Sequence, residues 1–548
     1  MARLNYNEVP VVRISRSAQD LSHSVKTTMS VGKIYPVDWI EVLPRSDIKC
    51  RDTNVSRITS AFLKPVMDNL YLDEYTFYVP YRLLFDSAES VFGNPRPSAY
   101  VSDQLAEFPG TYGEVVQDSV AERLGLPVGK YGENQKLQLL PFRAFALIYE
   151  WYCRNENVID EMYIQTGAAV ASEQFNSNAW GPNNYTGLLP NAPKMKDLFV
   201  SCLPQPQKGP EVLLPLASSA PVLTSSTTQA SGALPPLTFF KSVGGTLPQD
   251  GLFLSIKTGE LRQATDSDSH GALEEAGSLY PNNLYADLSK AAGSSINDQR
   301  LAWATQRMLE RDAIYGTRYN EYLYGHFGER IKDSRLQIPE LLGGKRIPLN
   351  VMQVAQTSQG TEESPLANLA AYSWTTGKSR WSRHFPEHGI VMTIAMLRYH
   401  HTYQQGIPKK WTRFRREDFY DPLFATIGYQ PIYKTELYKS PTDETTPLRD
   451  DVFGYNEAWI EYRRIPSYCT GAMRSSATNS LDIWHFADNY ETAPTLSRQF
   501  VEETPVFVDR TLAVPSTSLD SFIFDFYFDM LGVLPMPRRS RPGLVDHH

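Results

Sequence analysis

The sequence predicts a mainly β protein: an antiparallel sandwich of two sheets, of the jelly-roll kind, with large and partly helical loop insertions. Three observations predict it. The stretch "SFIFDFYFDM", residues 521–530, puts Phe522, Phe524, Phe526 and Phe528 on alternate positions. Successive strand side chains point to opposite faces, so this segment carries one wholly aromatic face, a grouping no helix would produce. Composition points the same way: 31 Tyr and 25 Phe beside 38 Pro and 33 Gly favour many short strands and irregular connections over helix bundles. Finally, strand-like segments are dispersed along nearly the whole chain, with long helical and irregular stretches between them. The late aromatic strand therefore pairs with strands far earlier in the chain, as in an elaborated sandwich.

The elements follow in chain order. Residues 1–60 read as an N-terminal arm and first strand, with "SVGKIYPVDWIEVLP" extended. In "FLKPVMDNLYLDEYTFYVPYRLLF", residues 62–85, Tyr71, Tyr75, Phe77 and Val79 share one face, and Leu70, Leu72 and Tyr78 the other. That is a strand buried on both sides, ended by Pro80, with a short helix after it in "RLLFDSAESVF". "LLPFRAFALIYEWYCRN" predicts a helix with Pro141 at its first position and a stripe of Phe145, Ile148 and Tyr152. Residues 61–216 thus hold sandwich strands with helical insertions. From 217 to 296 the chain becomes Ser/Thr/Ala/Pro-rich, then small and acidic, which reads as an inserted surface protrusion. Helix returns in "SSINDQRLAWATQRMLERDAIYG": Ser295 and Asp298 have capping-box spacing, Leu301, Ala304, Met308 and Tyr315 line the expected buried face, and Gly316 is the stop. Residues 297–535 supply the remaining strands, in "KRIPLNVMQVAQTS", "GIVMTIAMLRYH", "TPVFVDRTLAV" and the aromatic segment. Residues 536–548 form an extended basic tail.

With 42% hydrophobic and 21% charged residues over 548 positions, the chain is globular and can bury a substantial core. A net charge of −8 excludes a nucleic-acid coat acting by bulk charge, so any such contact must come from local patches. The polar N-terminus lacks a signal peptide's apolar region, and the run "GIVMTIAML" is far short of the ~20 residues a membrane helix needs, so a soluble protein made without export is expected. Cys50, Cys153, Cys202 and Cys469 are widely spaced and read as free thiols in a reducing cytoplasm.

Catalytic motifs are weak. "HFPEH", His384 to His388, has the H-x-x-E-H spacing of inverted zinc proteases, but Pro386 interrupts the helix that motif needs, so a turn into a strand is expected. "DSDSHG", from Asp266, begins like a calcium loop, yet its twelfth position is Gly277 where Glu is required, and a solvated acidic loop fits better. Asp525 and Asp529 suit a solvent-facing strand edge better than a hydrolase pair. No nucleophile elbow, P-loop or dinucleotide fingerprint is present, so no catalytic residue, metal or cofactor is expected. The strongest charged feature is "PKKWTRFRRED", in which Lys409, Lys410, Arg413, Arg415 and Arg416 interleave with Trp411 and Phe414. Cations hold phosphates and aromatic faces stack on unpaired bases, the requirements for binding single-stranded nucleic acid. The competing reading is a subunit interface pairing with carboxylates such as Glu417 and Asp418. Arg538, Arg539 and Arg541 form a second basic cluster with the same two readings.

Six blocks in order carry a resemblance: "PVMDNLYLDEYTFYVPYRLLF", "LPQPQKGPEVLLPL", "INDQRLAWATQRMLERDAIYGTRYNEYLYGHFG", "YQQGIPKKW", "VFGYNEAWIEYR" and "RPGLVDHH". Together they resemble the major capsid proteins of gokushoviruses, small icosahedral single-stranded-DNA phages of the Microviridae. The resemblance implies a single eight-stranded viral jelly roll, with Phe522, Phe524, Phe526 and Phe528 in its core. It also implies a sixty-copy shell, assembled in the bacterial cytoplasm around circular single-stranded DNA, with residues 217–296 as a protrusion at the three-fold axes. Implied partners are a small basic DNA-packaging protein, a minor pilot-type protein, a scaffolding protein during assembly and a host-cell surface receptor. Two readings from other classes stand beside it: a soluble jelly-roll carbohydrate-binding protein and a glycan hydrolase.

Overall fold

The computed structural model describes residues 14–92, 106–167, 178–212, 296–349 and 375–539, together with short strands inside the remaining segments. The chain divides into two compact units, Met1–Pro206 with Thr317–His548, and Gln207–Gly316.

The two main sheets of the first unit are built from nine strands: β1 (Ser17–Asp20), β2 (His23–Met29), β3 (Ile34–Val42), β4 (Ser46–Ile58), β5 (Leu70–Pro80), β6 (Glu340–Leu349), β7 (Thr375–Phe385), β8 (Gly389–Tyr399) and β9 (Phe522–Leu534). In one sheet β9 is central, with β4 along one side, β1 and β2 sharing the other, and β7 beyond β4. The other sheet runs β6–β5–β8–β3. Every pairing in both sheets is antiparallel. The pairings nest: β2 with β9, β3 with β8, β4 with β7, and β5 with β6. The protein is thus mainly β, with antiparallel sheets and helical insertions.

β9 behaves as its alternation dictates. Phe522, Phe524, Phe526 and Phe528 are at most 1% exposed, while Ile523 and Tyr527 on the other face are about half exposed. Consecutive rings in the row lie 5.6–6.4 Å apart, within packing distance of one another. The row belongs to one continuous core with Leu72 and Tyr78 of β5 and Val391, Ala395 and Leu397 of β8, which share a sheet face with Glu74, so the two sheets close on each other. β8 is buried at nearly every position. A helix, α1 (Leu140–Ile148), packs on it, which gives that sheet a second covered face and explains strands that are apolar on both sides.

The inter-sheet gap also encloses charge. Lys345 of β6 is paired with Asp52 of β4 and lies 3.2 Å from Glu74 of β5. Asn54 of β4 donates to Glu74 at 2.7 Å and accepts from the Gly377 N–H of β7 at 3.1 Å. Burial, with the neighbouring Asp52 carboxylate, pushes Glu74 up to about 8. Burial opposes ionisation of Asp52 as well, but its hydrogen bond to Glu74 and the Lys345 ammonium hold it below its ordinary value. One proton on Glu74 therefore leaves Asp52 charged against Lys345.

Three local expectations are corrected. α1 is buried all round, with Arg143 among its fully buried residues and donating to the Leu84 carbonyl at 2.9 Å, whereas Tyr152 is partly exposed. A helix lodged between a sheet and its own loops has no wet face to display. "TPVFVDRTLAV" is not a strand: Val506–Asp509 form a helical turn after Pro505, with Val508 buried and Val506 exposed. Two valines on alternate positions are too short a pattern to choose between a strand and a single turn. In the second unit the long helix α2 (Ile296–Tyr315) forms and stops at Gly316, φ +97°. Leu301, Ala304, Met308 and Tyr315 on it are exposed rather than buried. The stripe is narrow, because polar Thr305 and Asp312 interrupt it. Ser295, the expected cap, lies outside the described residues.

Phe526→Ala is expected to destabilise the subunit by about 3–5 kcal/mol, while Ile523→Ala on the outer face changes it by no more than about 0.5 kcal/mol. Chemical denaturation of the unassembled subunit measures both, and equal effects would remove the row from the gap. A second expectation concerns pH. Glu74 titrates higher in the folded state than its ordinary 4.5. The stability this difference provides is complete below that value and is lost as pH rises through about 8. Glu74→Gln is expected to flatten that alkaline decline, and denaturation midpoints across the same pH range decide it.

Candidate nucleic-acid interface

The chain leaving β8 is pinned at once. His401 is buried between Asp488, 2.7 Å from Nδ1, and Glu503, 3.1 Å from Nε2, and Lys194 lies 3.4 Å from Asp488. Burial disfavours a charged imidazole, but the two carboxylates outweigh it and raise His401 to about 10. Burial likewise opposes the Asp488 carboxylate, and His401 with Lys194 still holds it at about 2. The Asp488 N–H donates to the Thr402 carbonyl at 2.8 Å, and Gln404 Nε2 donates to the Asp488 carbonyl at 3.0 Å. The first residues of the basic segment's approach are thus fixed to the body of the first unit.

The segment itself is a braced loop of short 3-10 turns, Lys409–Thr412, Arg416–Asp418 and Pro422–Phe424. Asp418 accepts from the N–H groups of Phe414 and Arg415, both at 2.9 Å, and from Arg449 at 2.7 Å. The Arg449 hydrogen bond and those two backbone donors hold Asp418 well below the usual carboxylate range. Trp459, in the left-handed region at φ +63°, donates from its indole N–H to the Phe424 carbonyl at 2.9 Å and ties the far end of the loop down.

The five expected cations divide. Arg413 turns inward, donating to Glu461 at 2.6 Å with its guanidinium 4.3 Å from the centre of the Tyr462 ring. Lys410 is exposed, its ammonium 5.8 Å from the Tyr468 ring centre. Lys409 is half-buried, and Arg415 and Arg416 are exposed; none of these three forms an ion pair among the described residues. Trp411 and Phe414 project at 70% and 86% exposure, and Leu423 and Ile465 are also exposed. Asp418 is engaged by Arg449 and the backbone, rather than by the segment's own cationic side chains.

The second basic cluster sits elsewhere. Arg538 and Arg539 are exposed just past β9, where Ser17 of β1 donates to the Met536 carbonyl at 2.7 Å; Arg541 lies outside the described residues. The structure therefore roots the two clusters on different elements. The remaining motifs also separate: His384 Nδ1 sits 2.6 Å from Asp47, while His388 stacks 4.0 Å from the Phe92 ring. Among the described residues no group of three His, Cys, Asp or Glu side chains could hold a metal ion. Most of "DSDSHG" lies outside the described residues. Asp525 and Asp529 occupy the outer face of a central strand rather than a sheet edge, and Asp525 lies 3.6 Å from Lys26. All four cysteines are free, three of them buried.

Comparison with known proteins decides the family. The model of the phage capsid protein, or F protein, family matches residues 7–544. The chain belongs to this family. It is similar to capsid protein VP1 of Spiroplasma virus 4, 36% identical over 97% of this chain and 96% of the relative. The corresponding proteins of Chlamydia phage 1 and Bdellovibrio phage phiMH2K are 35% and 34% identical, each covering 98% of this chain and 97% of the relative. It is therefore a major capsid protein of a small single-stranded-DNA phage, a structural component of the virion rather than an enzyme.

For this capsid protein the basic segment was visible in the sequence, but its support was not. Glu461 and Tyr462, which hold Arg413, come from 48 and more residues downstream, and Arg449, which braces Asp418, from another loop. Only the recurrence of "VFGYNEAWIEYR" as a distinct block marked that region at all.

Proposed function

We propose that this chain folds as an eight-stranded viral jelly roll, and that sixty copies form an icosahedral shell around circular single-stranded DNA. The nested pairing of β2 with β9, β3 with β8, β4 with β7 and β5 with β6 carries the reading, because a jelly roll is a long antiparallel ribbon folded over into two facing sheets. β1 is then an extension of the N-terminal arm along β9.

Lys409, Lys410, Arg415 and Arg416 contact phosphates of the genome, with Trp411 and Phe414 available to stack on bases; Arg413 positions the loop instead of touching DNA. The exposure of Lys410, Arg415 and Arg416, and the lack of ion pairs to all four cations among the described residues, support this, since a cation already paired gains little from a phosphate. The tail arginines Arg538, Arg539 and Arg541 are a second inner contact. Leu423 and Ile465, exposed at 85% and 77%, have no use for DNA and favour burial against sister copies. The small basic packaging protein, the pilot-type protein and the scaffolding protein are the remaining assembly partners. Residues 217–296, inside the separate unit Gln207–Gly316, form the outward protrusion that meets a host receptor; an independent compact unit is the kind of insertion that can vary without disturbing a sandwich.

Charge reversal at Lys409, Lys410, Arg415 and Arg416 is expected to lower packaged DNA more than shell yield, read by absorbance ratio and light scattering of purified particles. Equal loss of both would return the segment to an interface role. Replacing 217–296 with a short linker is expected to leave shells that assemble but no longer adsorb to cells. A failure to form particles of megadalton mass would show that the unit serves assembly.

A further inference from the structure

Behind the basic segment lies a cavity of about 290 Å³, at the small end of the range for ligand pockets. Its wall is mostly apolar and aromatic, including Phe199, Tyr403, Tyr462 and Tyr468. Tyr462 and Tyr468 are themselves about half exposed, with Arg413 over one face of Tyr462 and the Lys410 ammonium 5.8 Å from the Tyr468 ring centre, so each ring keeps surface for a flat partner. The cations lining it are Lys409, Lys410 and Arg413, and the carboxylates are Glu436 and Glu461.

The charge balance selects the ligand. Glu461 is neutralised by Arg413 at 2.6 Å. Burial pushes Glu436 up to about 7, so it carries only part of a charge near neutral pH. The two lysines are then in excess, which disfavours a cationic peptide despite the aromatic walls. Glu436 also has one oxygen committed to the Tyr433 N–H at 3.1 Å, and its second oxygen makes no hydrogen bond among the described residues. A fitting ligand has a flat face, a polar edge and an anionic group.

We infer that this cavity holds one unpaired nucleotide of the enclosed strand, its base among Tyr462 and Tyr468, its base edge toward Glu436 and its phosphate on Lys409 and Lys410. The inference rests on the proposal that the basic segment faces the genome, and adds that the contact includes a base and not phosphates alone. It assigns the cavity to single-stranded nucleic acid, because a base inside a duplex presents no face to a tyrosine.

The test is fluorescence anisotropy with the purified full-length protein and two probes of equal length and charge: a short single-stranded oligodeoxynucleotide and a strand of abasic sugar phosphates. The base-bearing strand is expected to bind about tenfold more tightly, the scale of one stacked base. Tyr468→Ala, at an exposed position that leaves the unfolding midpoint unchanged, is expected to remove most of that preference. Lys410→Met is expected to weaken both strands alike. Equal affinity of the wild-type protein for the two strands, or a preference that survives Tyr468→Ala, overturns the pocket while leaving the phosphate contacts standing. Binding of neither strand overturns the genome-facing reading itself. Tighter capture of a lysine-rich peptide than of either strand overturns the inference in favour of a basic protein partner.

Discussion

The constraint on which the rest of this molecule depends is the burial of one row of phenylalanines. Four rings on one face of β9 are withdrawn almost completely from water, and a single sheet cannot do that for itself. Each contributes roughly 1.5–3 kcal/mol by leaving solvent, so the row holds the facing sheet in place and fixes the register of its own strand. A slip of one residue against β4 would turn the rings outward and bring Ile523, Asp525, Tyr527 and Asp529 into the gap. Because β9 is central, its register is transmitted to β2 on one side and to β4 and β7 on the other. The long excursions between strands can then vary in length and content, since the sandwich does not rely on them for closure.

Within that apolar gap sits a small charged cluster, and its purpose differs from that of the rings. Lys345, Asp52, Glu74 and Asn54 come from three different strands and two sheets. Buried ion pairs add little net stability over well-packed apolar groups, but breaking one is costly. An alignment of the two sheets that separated Lys345 from Asp52 would leave both charges buried and unpaired. His401, clasped by Asp488 and Glu503, plays the corresponding part for the loops that carry the basic segment.

Local patterns made β5, β8 and β9 legible, because β8 and β9 bury apolar residues in unbroken patterns and β5 has Tyr, Phe, Leu and Val on both faces around its buried Asp73 and Glu74. β4 was not legible as a strand. The residues it buries include Ser46, Asp52, Asn54 and Ser56, which read as a polar loop until the charged cluster and the neighbouring β9 are in view. "TPVFVDRTLAV" erred the other way: two alternating valines suggested extension where a proline had started a helical turn. Which strand pairs with which was beyond any local signal, since Met29 faces Phe522 across almost the whole chain; the dispersal of strands indicated only that the aromatic strand pairs far back along the chain. The basic segment shows the same division. Its residue types announced phosphate chemistry, but the inward turn of Arg413 depended on Glu461 and Tyr462, which no spacing rule connects to it.

The late position of β9 has a consequence for how the molecule is made. At bacterial translation speeds of about 5–20 residues per second, roughly 25–100 s separate the emergence of Met29 from that of its neighbour Phe522. Throughout that interval the half-built sheets lack the strand that seals them, and their apolar inner faces and unpaired edges stay open to aggregation. A product cut short by a broken message or an early stop never acquires the seal. Such a fragment leaves the phenylalanine-facing side of the gap open to water, so completeness of the chain and closure of the sandwich are one and the same event.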